Sequence, residues 1–412
     1  MTRWPLTARG TGAILLGILS FVIAGAFSVP ALLFFGVLLV AAVGVSLASL
    51  YLGHRPDRVR RSFFPETATV GGTVDVRAHV ETRTLLPTVA GSWSDGLPSG
   101  VEGDASGVFP GLGSGLAAGS HSVELEYRVL TTRRGVRALG PVRVTTHDPF
   151  GFARRTQRLG GAVPLTVAPA IIELGSLSEL PGDAGGDMQT TRDRMGQGAD
   201  NLIPRTYMPG DSMRRIHWRA SAHRGELMVR QEEQESHPEA VVVFDRSVAR
   251  WTIEALRAPG EDAAFELAVS AVVSAVARFV REGYTVSVID VDGVSLVEPI
   301  DAGDTAAVET MTVAFATLTA RRDGALADAA SLFGGAMIGP IVVVTGAIAE
   351  TDAAALAPIV AHTSLPVLLS VGGEPGGLAT ARTAGWRVST LEPEDELARL
   401  WGPVMGGGVR VG

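Results

Sequence analysis

The stretch from Arg205 to Arg230, RTYMPGDSMRRIHWRASAHRGELMVR, gathers six arginines, two histidines and one tryptophan around a Pro209-Gly210-Asp211 turn. Asp211 is placed to cap a short helix from about Ser212 to Ala222, which Gly225 ends. In that helix Met213, Ile216 and Ala220 share one face, leaving Arg214, Arg215 and Arg219 to pair or to meet water. A solvated basic helix would look like this, and so would a protein-binding surface. A nucleic-acid surface is disfavoured, because Asp211 and Glu226 sit inside the run and the chain carries a net charge of -8. A metal shared by His217 and His223 is also disfavoured. Six residues apart on a helix, at about 100° per residue, they point roughly 120° away from each other.

Other chemistry is narrowed by what the chain lacks. It contains no cysteine, and all 35 of its basic residues are arginine. That removes thiolate ligands, cysteine nucleophiles, Schiff-base lysines and the phosphate-binding lysine of a P-loop. Ser247 has no G-x-S-x-G surroundings, and no His-Glu-x-x-His pair occurs. A strand-like run ending Ile289-Asp290-Val291-Asp292 puts two acids at one strand end, more in keeping with solvated edge residues than with catalysis.

The elements that must position these residues follow from patterning. Hydrophobic residues make up 46% of the chain, which leans toward a membrane-anchored protein. From Gly10 to Gly53 no charged residue occurs. At about 1.5 Å per residue such a run would make a helix roughly twice as long as the ~30 Å hydrocarbon core is thick, so two spans are expected, near Thr11 to Phe27 and Ala31 to Leu52, turning at Pro30. A cleaved signal peptide fits less well, since a second apolar run follows directly. Arg3 and Arg9 precede the pair, and Arg55, Arg58, Arg60 and Arg61 follow it. Basic flanks on both sides predict a hairpin with both ends, and the soluble part, in the cytoplasm.

Thr73 to Val80, Ser122 to Leu130 and Val136 to Thr146 alternate apolar and polar residues as half-buried strands do, predicting a small β-sandwich. The Gly-rich segment from Asp95 to Ser120 reads as a surface loop, and Pro181 to Ala199 as a linker. Beyond Glu239 strands alternate with helices: Ala240 to Phe244, a helix over Glu261 to Glu282, Thr285 to Val291, a helix over Ala306 to Arg321, Ile341 to Thr345, a helix over Thr351 to His362, and Pro366 to Val371. That rhythm predicts a doubly wound α/β fold, with ligands beyond the carboxyl ends of its strands. The expected organisation is an anchor over 1–61, a β-sandwich-like domain over 62–170, a linker and motif region over 171–237, and an α/β domain over 238–412.

The motif Arg205-x-Tyr207-x-Pro209-Gly210-Asp211, continued by Arg214-Arg215-Ile216-His217-Trp218, Ser221-Ala222 and Leu227-x-Val229-Arg230, resembles the signature of the bacterial domain-of-unknown-function family fifty-eight. Ser212 and His217 stand where that family usually has acids. His147-Asp148-Pro149-Phe150-Gly151-Phe152 resembles the DPFG element that precedes the signature. The resemblance implies a von Willebrand factor A-like fold for the α/β domain and a MoxR-type AAA+ ATPase as partner. It also makes Asp245-Arg246-Ser247-Val248-Ala249 look like the first loop of an A-type metal site, where Asp245 and Ser247 would help hold Mg²⁺. Ala249 replaces the second hydroxyl there, and Thr345-Gly346 stands where Thr-Asp is usual, so the site is degenerate and no cofactor is expected. Two functions follow. The first is a membrane-anchored, non-catalytic scaffold that presents Arg205, Tyr207, Pro209, Gly210, Asp211, Arg214, Arg215, His217, Trp218, Ser221 and Arg230 to a protein partner. The second is a metal-assisted hydrolase using Asp245, Ser247 and His217.

Overall fold

The computed structural model describes residues 4–51, 58–82, 87–113, 121–175, 202–207, 216, 218–232, 238–334, 338–392 and 401. It divides into two compact units, Met1–Pro169 with Val313–Thr317, and Ala170–Thr312 with Leu318–Gly412. The expected linker over Pro181 to Ala199 lies outside the described residues.

The first unit opens with two apolar helices, α1 (Ala8–Phe27) and α2 (Pro30–Tyr51). The Thr7 hydroxyl accepts from Gly10 N at 3.2 Å to cap α1. Ser28, left-handed at φ 56°, turns the chain. Pro30 is the first helical residue of α2, where its missing N–H costs nothing. Ala13, Gly17, Ser20 and Ala24 of α1 are buried, as are Gly36, Val43 and Ser46 of α2. Small residues let helix backbones approach closely where no hydrophobic force separates protein from lipid. Both helices are long and apolar enough to cross a membrane. Leu15, Ile18, Phe34 and Leu38 lie exposed on their outer faces.

A strand-rich region follows: β1 (Arg58–Phe64), β2 (Thr67–Thr69), β3 (Thr73–Thr82), β4 (Val89–Ser94), β5 (Val101–Glu102), β6 (Ser106–Phe109), β7 (His121–Thr131), β8 (Gly135–Leu139), β9 (Val142–His147), β10 (Arg154–Leu159) and β11 (Val163–Ala168). They form sheets ordered β1-β3-β7-β5, β10-β9-β4-β6 and β2-β11-β8. In β3 the alternating Val74, Val76, Ala78 and Val80 are buried, opposite Val129, Tyr127, Leu125 and Val123 of antiparallel β7. Within this core the Arg61 guanidinium bonds both oxygens of Asp95 at 2.9 and 3.0 Å, and the Tyr127 hydroxyl donates to Asp95 Oδ2 at 2.7 Å. Burial and the Asp95 carboxylate push the Tyr127 phenol up.

Two expectations are corrected here. The single strand predicted over Val136 to Thr146 is two, because Gly140-Pro141 breaks the ladder and sends β8 and β9 to different sheets. The predicted surface loop over Asp95 to Ser120 contains β5 and β6 and buries Ala105, Phe109 and Leu112; its Gly residues obscured the alternation.

The rest of the chain forms β12 (Leu202–Thr206), α3 (Trp218–Arg224), β13 (Met228–Glu232), β14 (Glu239–Phe244), α4 (Ala263–Arg281), β15 (Thr285–Asp290), α5 (Thr305–Phe315), β16 (Ile338–Thr345), α6 (Glu350–Leu356), β17 (Thr363–Val371), α7 (Pro375–Thr383) and β18 (Arg387–Leu391), all in the second unit except the end of α5 from Val313. The last five strands named form one parallel sheet, ordered β15-β14-β16-β17-β18. The apolar run of β14 is explained by burial on both faces. Phe244 stacks on Phe265 of α4 at 5.4 Å, while Val241 and Val243 join Leu356, Ile359 and Trp386 on the other side. α4 is also apolar enough to span a membrane, but 67% of its span is buried inside this fold. Asp262 caps it, accepting from Phe265 N at 2.9 Å.

Two predicted helices are shorter than their pattern. α5 stops at Phe315, and the chain returns so that Arg321 bridges Ser247 at the sheet edge. α6 gives way after Leu356 to a 3-10 segment containing Pro358, which has no N–H for the α ladder. α7 and β18 were not foreseen, their Gly-rich start hiding the periodicity.

Phe265, 1% exposed, touches both Phe244 and Trp251. Phe265→Ala in the detergent-solubilised protein is expected to cost about 3–5 kcal/mol. Urea unfolding followed by tryptophan fluorescence tests this, and an unchanged midpoint would contradict the packing described.

Candidate functional site

The carboxyl edge of the parallel sheet collects charged residues from several elements. β14 lies between β15 and β16, so the chain reverses its progress across the sheet there, at the kind of switch point where ligands of such sheets bind. Asp245 follows β14 and is fully buried. Its Oδ1 accepts from Ser247 N at 2.9 Å, and its Oδ2 accepts from the Thr345 hydroxyl at 2.9 Å, with Arg250 Nε at 3.5 Å. Trp251 Nε1 donates to the Asp245 carbonyl at 2.9 Å. Arg250 reaches onward to Asp352 at 2.7 Å.

A second group adjoins the first. Asp290, also fully buried, receives Arg246 Nε at 2.8 Å, with Arg321 Nε at 3.3 Å. Arg321 Nη1 bonds Asp292 at 2.8 Å. The segment after α5 delivers Arg321 by backbone pairing, Arg321 N donating to Arg246 O and Val248 N to Arg321 O, both at 2.8 Å. Three arginines and four aspartates thus interlock.

Burial pushes the Asp245 carboxyl above its ordinary value; bonds from Ser247 and Thr345 and the charge of Arg250 oppose this, while Asp290 reinforces it. The hydrogen bond from Arg321 holds Asp292 below the usual carboxylate range. Burial works against charging Arg321, but the Asp292 bond and the nearby carboxylates outweigh it and raise its affinity for the proton.

Of the two residues assigned to a degenerate metal loop, Asp245 sits at the strand end as expected, and Ser247 is buried beside it, donating its backbone N–H. A side chain at Gly346 is sterically barred: its Cβ would lie 2.2 Å from the Arg250 carbonyl oxygen. Among the described residues no cluster of three or more His, Cys, Asp or Glu has the geometry of a metal site. Asp290 and Asp292, read as solvated edge residues, are tied to arginine. The arginines Arg246, Arg250 and Arg321 were missed as site residues. For Arg246 and Arg250 the signal was their spacing of one and five residues from Asp245.

The signature stretch is described in part. Arg205 lies on β12 opposite Val229, and Arg230 on β13 opposite Pro204. Tyr207, half-buried, donates its N–H to Leu227 O at 2.7 Å. The Ser221 hydroxyl accepts from Met228 N at 2.8 Å, tying α3 to β13. Trp218, at the start of α3, is 68% exposed. Pro209, Gly210, Asp211, Arg214, Arg215 and His217 lie outside the described residues. The predicted helix does not run through Ile216, which is buried in an antiparallel bridge with Val229; α3 starts at Trp218 and ends just before Gly225. Pairing with β13 takes Ile216, which periodicity alone assigns to helix.

The HDPFGF element forms a tight turn. The fully buried Asp148 carboxylate accepts from Phe150 N at 2.9 Å and Ala153 N at 2.6 Å. That turn meets the start of α1: the Thr7 hydroxyl donates to Gly151 O at 2.6 Å, Thr7 N to Phe152 O at 2.9 Å, and Arg154 N to Pro5 O at 2.7 Å.

Residues 204–365 match the family described as "Protein of unknown function DUF58". The curated proteins include no match to the chain. A solved structure, "Pseudomonas fluorescens alkylpurine DNA glycosylase AlkC bound to DNA containing an abasic site analog", aligns at 14% identity over 32% of this chain and 36% of its own. Its TM-score of 0.18 is too low to indicate a shared fold, and the alignment spans only about a third of that structure's length.

The two shifted aspartates carry opposite pH signatures. Asp245, raised in the folded protein, contributes stability that is full below the ordinary value of 3.8 and is lost as pH rises through its folded value. Asp292, lowered, contributes stability present above 3.8 and lost as pH falls through its folded value. Asp245→Asn should therefore remove a decline in melting temperature on going up from pH about 4, and Asp292→Asn a decline on going down from there. Identical pH profiles for both variants and the parent would refute this electrostatic assignment.

Proposed function

We propose that this protein is a membrane-anchored, non-catalytic interaction module acting with a MoxR-type AAA+ ATPase. The observation that carries the reading is Trp218, 68% exposed at the start of α3, inside the segment matched by the family and flanked in sequence by arginines. Tryptophan and arginine are the residues most enriched among those that dominate binding energy at protein interfaces. The sheet edge supports it from the other side, since its acids are bonded to arginines of the same chain. With no lysine for a P-loop, nucleotide-driven work falls to a partner. The strand-rich region is read as a β-sandwich and the parallel sheet as a von Willebrand factor A-like domain, the acid-and-hydroxyl pair Asp245 and Thr345 at its edge being what favours the latter.

We read the soluble part as cytoplasmic, a reading supported by the arginines on both sides of the uncharged run. A reporter fused after Gly412 should accordingly be active only in the cytoplasm. Periplasmic or extracellular activity would move both units to the other side of the membrane and remove a cytoplasmic ATPase as partner.

Trp218→Ala should leave the melting temperature unchanged and weaken capture of the ATPase by about 2 kcal/mol or more, read by titrating the purified partner against the detergent-solubilised chain. Full affinity in that variant, or unfolding, would instead make Trp218 a structural residue.

A further inference from the structure

A groove of about 490 Å³ opens where the helical hairpin joins the strand-rich region, lined by Thr7, Arg9, Val89, His147, Pro149 and Phe150 among others. Its position is set by the apolar helices. α1 begins at Ala8 and α2 ends at Tyr51, and both ends lie at the HDPFGF turn and β10: Arg155 bonds the Leu50 carbonyl and stacks over the Tyr51 ring at 4.9 Å. If these helices cross the bilayer, the boundary between hydrocarbon and headgroups passes through this joint. Trp4, Tyr51 and Phe150, respectively 64%, 48% and 60% exposed, stand around it as interfacial aromatics do.

The exposed charge of the groove is that of Arg9, although Asp148 also lines it. Arg9 is exposed at its rim and His147 half-buried in its wall, whereas the carboxylate of Asp148 is fully buried and occupied by the Phe150 and Ala153 N–H groups. The volume falls in the range of roughly 300–1,000 Å³ that small-molecule sites occupy. We infer that this groove holds the phosphodiester headgroup of an anionic phospholipid from the membrane that carries the hairpin, with Arg9 on the phosphate and Phe150 against the upper acyl chain. The inference rests on the hairpin lying in a bilayer and is independent of any ATPase partner.

The test uses the full chain in detergent micelles doped with equal amounts of phosphatidylglycerol and phosphatidylcholine of identical acyl chains, with retained lipid counted by native mass spectrometry. Phosphatidylglycerol should be retained in preference, Arg9→Gln should reduce its retention about fivefold, as expected for one arginine at an anionic membrane surface, and Arg9→Lys should largely restore it. Arg382→Gln, an exposed arginine of α7, should change nothing. Equal retention of the two lipids, or phosphatidylglycerol retention unaffected by Arg9→Gln, would overturn the assignment. So would displacement of the lipid by millimolar inorganic phosphate, which would mark the groove as a site for the free anion.

Discussion

A carboxylate without solvent contact, Asp245 at the end of an apolar strand, sets the terms for the whole sheet edge. Burying an isolated ion costs several kcal/mol, so protein donors must replace its water. Ser247 N, the Thr345 hydroxyl and Arg250 do so. Bringing Arg250 inward lays the loop after β14 across the end of β16, and that crossing tolerates only glycine at position 346. The far end of Arg250 engages Asp352, which also accepts from Ala349 N at 3.2 Å and so fixes the first turn of α6. One buried charge thus ties β14, β16 and α6 together.

The same solution recurs because the chain has only one kind of strong cation. A guanidinium is a planar fork that can serve two acceptors at once, which a compact ammonium group does less well. Arg250 spans Asp245 and Asp352, and Arg321 spans Asp290 and Asp292. In the strand-rich region Arg61 sets its fork on Asp95 and its Nη1 on the Gly161 carbonyl, and Asp95 also accepts from the Tyr127 hydroxyl. Where both partners are buried, as at Arg61 and Asp95, removing one leaves a buried charge uncompensated, so the pair constrains the packing.

What sequence could reveal depended on whether a local pattern or a distant contact decides the outcome. β3, β7 and α4 follow from hydrophobic period, because each buries a face whose spacing is intrinsic to it, while the two N-terminal helices and β14 follow from unbroken apolar runs. Arg321 could not be found that way: it meets Asp290 only because α5 ends early and the chain turns back along the sheet edge. Ile216 misled for the same reason, its helical spacing being overridden by pairing with Val229. Asp245 was legible as an acid at a strand end, while the arginines beside it read only as neighbours in sequence.

The HDPFGF turn shows how a short motif divides its labour. Asp148 holds the turn from inside through two backbone N–H groups, leaving carbonyls of Gly151 and Phe152 free to receive Thr7. The contact is close: at Gly10 of α1 a Cβ would lie 2.1 Å from the Phe152 carbonyl oxygen, so a side chain there would force helix and turn apart. Phe152 packs with Leu6, Ala13 and Val43, plugging the space between hairpin and strands. A joint made of backbone hydrogen bonds, a Leu6–Ala153 bridge and an aromatic plug behaves as a fixed mount rather than a flexible tether. Phe150 stacks on the outer side of that plug, its ring 6.1 Å from that of Phe152, so one aromatic fills the joint and holds the other, still 60% exposed, beside the helix ends.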